Sequence, residues 1–378
     1  MNAPRIKFRL SAALIGIAAL MLPGALALGG ALSGPQTFTV QVGGEAEFSQ
    51  GETGQVAAWE LMNFYPSNLI VNVGDTITWK LKSMEFHNVT VIPAGAQLDS
   101  FVIPEGGTST RLIFNPAIVN PGGGSNLDAA SRSNSGLMDM ANPHAPKEYS
   151  LKVTTPGNYL IVCQIHSANT PGGPQGMISH VRVNPAGTRY IRTPDEVAAL
   201  GASQLALDAV TTKLYNRDAQ RASAMTANAN GSNTYGVNIG FPGVAFADWM
   251  RFGPSKLTVK VGDSVTFTNM APHTPHTVSF LSGAKDLDVA IVEPQPAGPP
   301  KIVLNPAVLM PSGGTTYAGT GILNSGFLTG AAEPGPHAVT YTFSTPGTYE
   351  FICILHDQMG MTGTITVEPK AVASTPAG

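Results

Sequence analysis

Near its C-terminus the chain reads Phe351-Ile-Cys-Ile-Leu-His-Asp-Gln-Met-Gly-Met-Thr-Gly363, and Pro275-His276-Thr-Val lies far upstream. Cys353, His356 and Met361 thus fall on one strand end and the turn after it, and His276 offers a second imidazole. A thiolate, two imidazoles and a thioether suit copper that changes oxidation state. Soft sulfur holds Cu(I), imidazole suits Cu(II), and a weak axial thioether tunes the potential between them. Leu160-Ile-Val-Cys-Gln-Ile-His166 repeats the first half of this pattern, with His87 upstream in Phe-His-Asn-Val. The next methionine, Met177, has ten residues between it and His166, among them Pro171-Gly-Gly-Pro174. A lone His or Met is usually a packed core residue; a repeated order of ligand types makes these residues candidates. Met359 and His273 are the spare donors of the second set.

These donors need strands to position them. In Thr348-Tyr-Glu-Phe-Ile-Cys353, alternation places Tyr349, Phe351 and Cys353 on one face, so the thiol starts out of bulk water. Thr364-Ile-Thr-Val367 then resumes a strand, as Val181-Arg-Val183 does after Met177. Earlier, Thr37 to Gly43 alternates like a first strand, and Met62 to Trp79 reads as two strands around Gly74-Asp75. Met250 to Phe267 answers the latter, displaced by 188 positions. Asn115-Pro-Ala, Asn134-Ser-Gly136, Thr155-Pro-Gly-Asn-Tyr159 and Cys163 recur as Asn305-Pro-Ala, Asn324-Ser-Gly326, Thr345-Pro-Gly-Thr-Tyr349 and Cys353, all displaced by 190. So long a repeat means two copies of one domain; solenoid units have shorter periods. The stretch holding Asn-Pro-Ala and Asn-Ser-Gly is either structural or a shared docking surface. Between the copies, Thr193-Pro-Asp-Glu196 is a capping box opening a helix. Val197, Leu200, Leu207, Val210 and Leu214 form its apolar stripe, and Asn228-Ala-Asn-Gly231 is expected to stop it.

Composition agrees with an all-β reading. The chain has 378 residues, with 42 Gly, 30 Pro and only 12% charged residues, which suits short strands joined by turns. Arg5, Lys7 and Arg9 precede a nearly uncharged run from Leu10 to Leu28 with Ala25-Leu-Ala27 near its end, the layout of an export signal. Left uncleaved, a run of about 19 residues is long enough to act as a membrane anchor. Cleavage removes three cations and no acid, leaving 18 basic against 24 acidic residues. No basic patch is present, which argues against a nucleic-acid partner. The two cysteines sit at equivalent points of two autonomous units, so a disulfide between them is not expected.

The spacing Cys-x2-His-x4-Met, followed by x-Gly and a β-branched strand, resembles the plastocyanin branch of the cupredoxin family. The resemblance is closest in the second copy. It implies two Greek-key β-sandwich domains, 37–184 and 234–368, joined by a helix-containing linker, 185–233. Residues 1–27 form the signal peptide or anchor and 369–378 a tail. It also implies one type 1 copper per domain: His87, Cys163, His166 and Met177 in the first, His276, Cys353, His356 and Met361 in the second. Met361-Thr-Gly-Thr fits the family's strand start better than Met359 does. Asn88 and Thr277 would brace the thiolate loop, and Thr-Pro-Gly-x-Tyr resembles the tyrosine corner. The implied function is electron transfer between redox-protein donors and acceptors. His166 and His356 would be surface electron ports ringed by an apolar docking face, and the differing axial loops predict two distinct potentials. Two-domain copper nitrite reductases and laccases, and copper carriers, are the alternatives. The enzymes place a histidine beside the type 1 cysteine, whereas Val162, Gln164, Ile352 and Ile354 stand there in this chain.

Overall fold

The computed structural model describes residues 32–370 except 33, 51–54, 108, 129–131, 220, 222–224, 244, 273, 286 and 331–332. The expected signal or anchor, the spare donor His273 and all but the first two residues of the tail lie outside the described residues. No helix among the described residues is long and apolar enough to cross a membrane.

The chain is mostly β with one long helix. In the first copy Thr37–Val42 alternates as the sequence predicts, burying Phe38, Val40 and Val42, and runs parallel to Thr76–Leu81. The second copy repeats this pairing with Asn233–Ile239 and Ser264–Asn269. On the other face Gly157–Thr170 pairs with Gly173–Asn184, and Gly347–Ile352 with Thr362–Glu368. Each copy buries one core shared by its two main sheets; the first holds Cys163 and Met177, the second Cys353 and Met361.

The matching sequence fragments have matching jobs. Asp75 lies in the predicted Gly74-Asp75 turn, and its carboxylate accepts from the backbone N–H of Gln36 (2.7 Å) and Asn72 (2.7 Å). Asp263 does the same for Asn233 (2.7 Å) and Lys260 (2.8 Å). The tyrosine corners are present, with Tyr159 Oη donating to the Thr155 carbonyl (2.7 Å) and Tyr349 Oη to that of Thr345 (2.9 Å). The Asn134 amide ties down the carbonyls of Ala117, Ile118 and Asn120, as Asn324 does those of Ala307, Val308 and Met310.

Just before Asn115 and Asn305, the inserted segments of the two copies pair with each other. Val102–Pro104 and Leu112–Phe114 join Ala290–Glu293 and Lys301–Leu304 in one four-stranded sheet, closed across the copies by the antiparallel pair Val303–Ile113. Lys301 and Arg111 reach across this seam to Glu105 and Glu293, respectively. A second seam forms where Ala247–Trp249 pairs antiparallel with Gln55–Leu61. Met250 and Met359, from the second copy, pack into the first copy's core.

The helix spans Pro194–Thr212, opened by the expected capping box of Thr193 and Glu196. Only the start of its expected stripe is buried. Leu207, Val210 and Leu214 are exposed, while Val197 enters the first core and Leu205, Ala209 and Tyr215 close over Trp59, Tyr65 and Trp249 at the junction of the copies. Gly201 lets the helix approach so closely that a Cβ there would stand 2.8 Å from the Tyr65 and Pro66 backbone. Val197, Gly201, Leu205, Ala209 and Thr212, three or four residues apart, make the buried face, with Gly201 at its closest approach. Asn228–Gly231 does not end the helix either. It turns the hairpin of Thr226–Ala227 and Asn233–Ile239, because a short helix over Asn216–Ala219 has already closed the helical run.

Removing the buried Asp263 carboxylate leaves two backbone N–H groups without acceptors. Asp263→Ala should therefore destabilise the protein by about 2–4 kcal/mol. An unchanged thermal unfolding midpoint in the metal-free protein would contradict this role.

Candidate metal centres

The second centre forms at the end of Gly347–Ile352. After the last pair, Ile352–Thr362, the Cys353 N–H donates to the Met361 carbonyl (3.0 Å), and a short turn over Asp357–Met359 brings back His356. His276 comes from the neighbouring segment, bridged to Leu328. Cys353 Sγ stands 3.7 Å from His276 Nδ1 and 3.4 Å from His356 Nδ1, and the two ring nitrogens are 3.0 Å apart.

The first centre is nearly superimposable in its distances: 3.7 Å from Cys163 Sγ to His87 Nδ1, 3.5 Å to His166 Nδ1, and 3.0 Å between nitrogens. The position of Met177 follows from strand register. The pairing of the two strands passes from Val162–Ile178 to Ser167–Gly176, so Cys163 to His166 bulge opposite Met177 alone. Val162–Ile178 matches Ile352–Thr362, and Met177 matches Met361. The ten intervening residues therefore extend a hairpin, with Thr170 paired to Gly173, instead of displacing the methionine. Both methionines are fully buried beside their cysteines' cores, whereas Met359 packs toward the other copy.

In each triangle a point roughly 2 Å from all three donors exists, the distance first-row metals keep to imidazole nitrogen and slightly less than they keep to thiolate sulfur. The donor set, two imidazoles and a thiolate with a thioether nearby, fits copper better than a hard ion. When bound, copper would supply a one-electron couple. The protein's part is to hold the donors. The N–H groups of Asn88 and Thr277 point at the sulfurs of Cys163 (3.4 Å) and Cys353 (3.3 Å). Their side chains accept from the N–H of Gln164 (2.7 Å) and Ile354 (2.8 Å), the bracing expected of these two residues. Glycines back the upstream histidines: a Cβ at Gly43 or Gly240 would stand 2.6 Å or 2.7 Å from Nε2 of His87 or His276.

Burial, and then the charge of the neighbouring histidine, push His87 and His276 well below the usual imidazole range, which keeps them neutral and ready to ligate. Burial pushes the Cys163 thiol up to about 11. His356 is up at about 10: burial pulls it down, but Cys353 and Glu85 outweigh that. Both cysteines are free thiols in separate cores. His144 and His180 are exposed and His337 is half-buried against Thr329, all outside the two triangles.

The expected electron ports are the point of departure. His166 and His356 are only 8% and 3% exposed, and His356 faces Glu85 of the first copy. Between them sits Glu85, itself 3% exposed. Its Oε2 lies 3.3 Å from His356 Nε2, and its Oε1 lies 3.7 Å from His166 Nε2. Burial raises the Glu85 pKa, but the hydrogen bond and charge of His356 and the charge of His166 outweigh it, so the carboxyl lies below its ordinary value. Beside it Ser83 Oγ donates to Glu60 (2.7 Å) and lies 3.3 Å from His87 Nε2. Glu60, Ser83 and Glu85 carry no ligand spacing, and sequence reasoning passed over them. The signal was an asymmetry: Glu85 stands two residues before its ligand histidine, where the other copy has Thr274.

Residues 324–368 match the family described as copper binding proteins, plastocyanin/azurin family. Comparison with curated proteins finds no match. Among solved structures the chain is similar to a Cu(I) amicyanin variant, at 24% identity over 36% of this chain and 82% of that one, with a TM-score of 0.21. It is also similar to oxidised plastocyanin from Dryopteris crassirhizoma, at 24% identity over 35% of this chain and 99% of that one, with a TM-score of 0.19. Over residues 324–368 this chain resembles that family. Its family match spans the strand and loop that carry Cys353, His356 and Met361.

Two outcomes test the bracing and the burial. Thr277→Val strands the Ile354 N–H, and copper affinity at the second centre should fall about 10- to 100-fold in chelator competition. Unchanged affinity would remove Thr277 from the site's support. Copper must also displace the Cys163 proton, so first-centre affinity, read in Cys353→Ser, should rise about tenfold per pH unit from neutrality toward pH 9. A flat profile would contradict a protonated resting thiol.

Proposed function

We propose that this protein is an electron-transfer carrier with two type 1 coppers, one in each half, and that each half is a Greek-key sandwich. The observation that carries the reading is the pair of matching Cys-His-His triangles, each with a buried methionine and a thiolate braced by a backbone N–H. A donor set locked by strand register changes little between oxidation states, and small reorganisation favours electron transfer over catalysis. Redox proteins are the donors and acceptors under this reading, and nucleic acid is not a partner. The basic, then apolar N-terminal segment supports export to the periplasm or cell exterior, whether it is cleaved or kept as an anchor.

The test is copper content and the visible spectrum of wild type, Cys163→Ser and Cys353→Ser. Two coppers in wild type, one in each variant, and an intense thiolate-to-copper band reduced by about half by either substitution are expected. One copper lost only with Cys353 would make the first half a docking or structural module. Copper surviving both substitutions would point to a different, catalytic copper, and nitrite and oxygen reduction would then be assayed.

A further inference from the structure

We propose that Glu85 couples the two metal centres into an internal electron-exchange pair through the path His166–Glu85–His356. The proposal rests on the reading above that each half holds a copper, and it assigns a role to a residue outside both donor sets.

Three observations carry it. First, the ring edges that would meet an external partner are buried, and that of His356 faces Glu85 of the other copy. Second, one carboxylate addresses both edges, His356 Nε2 at 3.3 Å from one oxygen and His166 Nε2 at 3.7 Å from the other. Nδ1 of each ring faces its cysteine sulfur, so with copper held there Nε2 would carry the proton, and His356 would donate it to the carboxylate. A carboxylate is costly to bury and is retained where cationic or N–H partners face it, as they do here from both copies. Third, the arrangement is fixed. Strand pairing holds the copies together on two seams, at Ala247–Trp249 with Gln55–Leu61 and at Val303 with Ile113. Glu85 is further anchored by its own N–H, which donates to Ser83 Oγ (3.0 Å).

The exchange balances simply. One electron leaves the reduced centre, which rises from Cu(I) to Cu(II), and enters the oxidised one, which falls from Cu(II) to Cu(I). No bond forms or breaks, both protons stay on Nε2, and Glu85 stays ionised. Glu85 is a positioning residue: it touches the ligands and never the metal.

The test uses the full chain loaded with two equivalents of copper. Spectra of Cys163→Ser and Cys353→Ser first assign a band to each centre. A substoichiometric pulse of radiolytic electrons then reduces part of the population, and redistribution between the bands is followed. The expected result is a redistribution phase whose rate does not change with protein concentration. Glu85→Leu should slow this phase at least about tenfold with both bands intact, and Glu85→Gln, which keeps a hydrogen-bonding head, should slow it less. A phase that scales with protein concentration, or one untouched by Glu85→Leu, would overturn the bridge. The concentration dependence needs only wild type, so the proposal stays exposed even if a variant folds poorly. A third metal equivalent lost in Glu85→Leu would overturn it in favour of a metal held by Glu85. Wild type that binds fewer than two coppers would instead overturn the reading beneath it.

Discussion

Everything at the two centres depends on one register, that of the cysteine-bearing strand against the strand that follows it. With Ile352 opposite Thr362, and Val162 opposite Ile178, the cysteine leaves the ladder just as the methionine enters it. The intervening loop then has to return one histidine to the same point. A shift of one residue would turn the cysteine out of the core and the methionine away from it, because side chains alternate faces along a strand. The tyrosine corner, the Gly-Asp turn and the paired parallel strands all hold that register. The loop itself is free to vary in length, which is why a ten-residue hairpin and a four-residue turn can serve the same geometry.

The second constraint is the contact between the copies. Two autonomous domains on a flexible linker would leave both downstream histidines at the surface. Here the inserted strands form a common sheet, Met250 and Met359 of the second copy pack on the first core, and Leu205, Ala209 and Tyr215 close over the junction. The result buries His166 and His356 against a single carboxylate. That carboxylate breaks the internal symmetry, since Thr274 stands at its equivalent and turns instead to Asp248. Duplication supplied two similar centres, and one unmatched glutamate lies between them.

The two Cys-His-His clusters were legible in the sequence because residue identity and spacing are local, and the repeat supplied a second reading of each. Asn88 and Thr277 were legible for the same reason, by their position beside the ligand histidines. Two things were not. Helical periodicity pointed to Leu207, Val210 and Leu214, yet the junction selects residues by how close the backbone can come, and Gly201 decides that. Surface exposure of the downstream histidines is a property of a lone domain. It fails when strands more than a hundred residues apart pair across copies, as Val303 does with Ile113. Pairing of that range leaves no periodic trace in the residues it joins.

The most direct measurement is an anomalous difference map at the copper edge from crystals of the copper-loaded chain. The account predicts two peaks per chain, one among His87, Cys163 and His166 and the other among His276, Cys353 and His356. A single peak, or density centred on Glu85 or away from both cysteines, would contradict it.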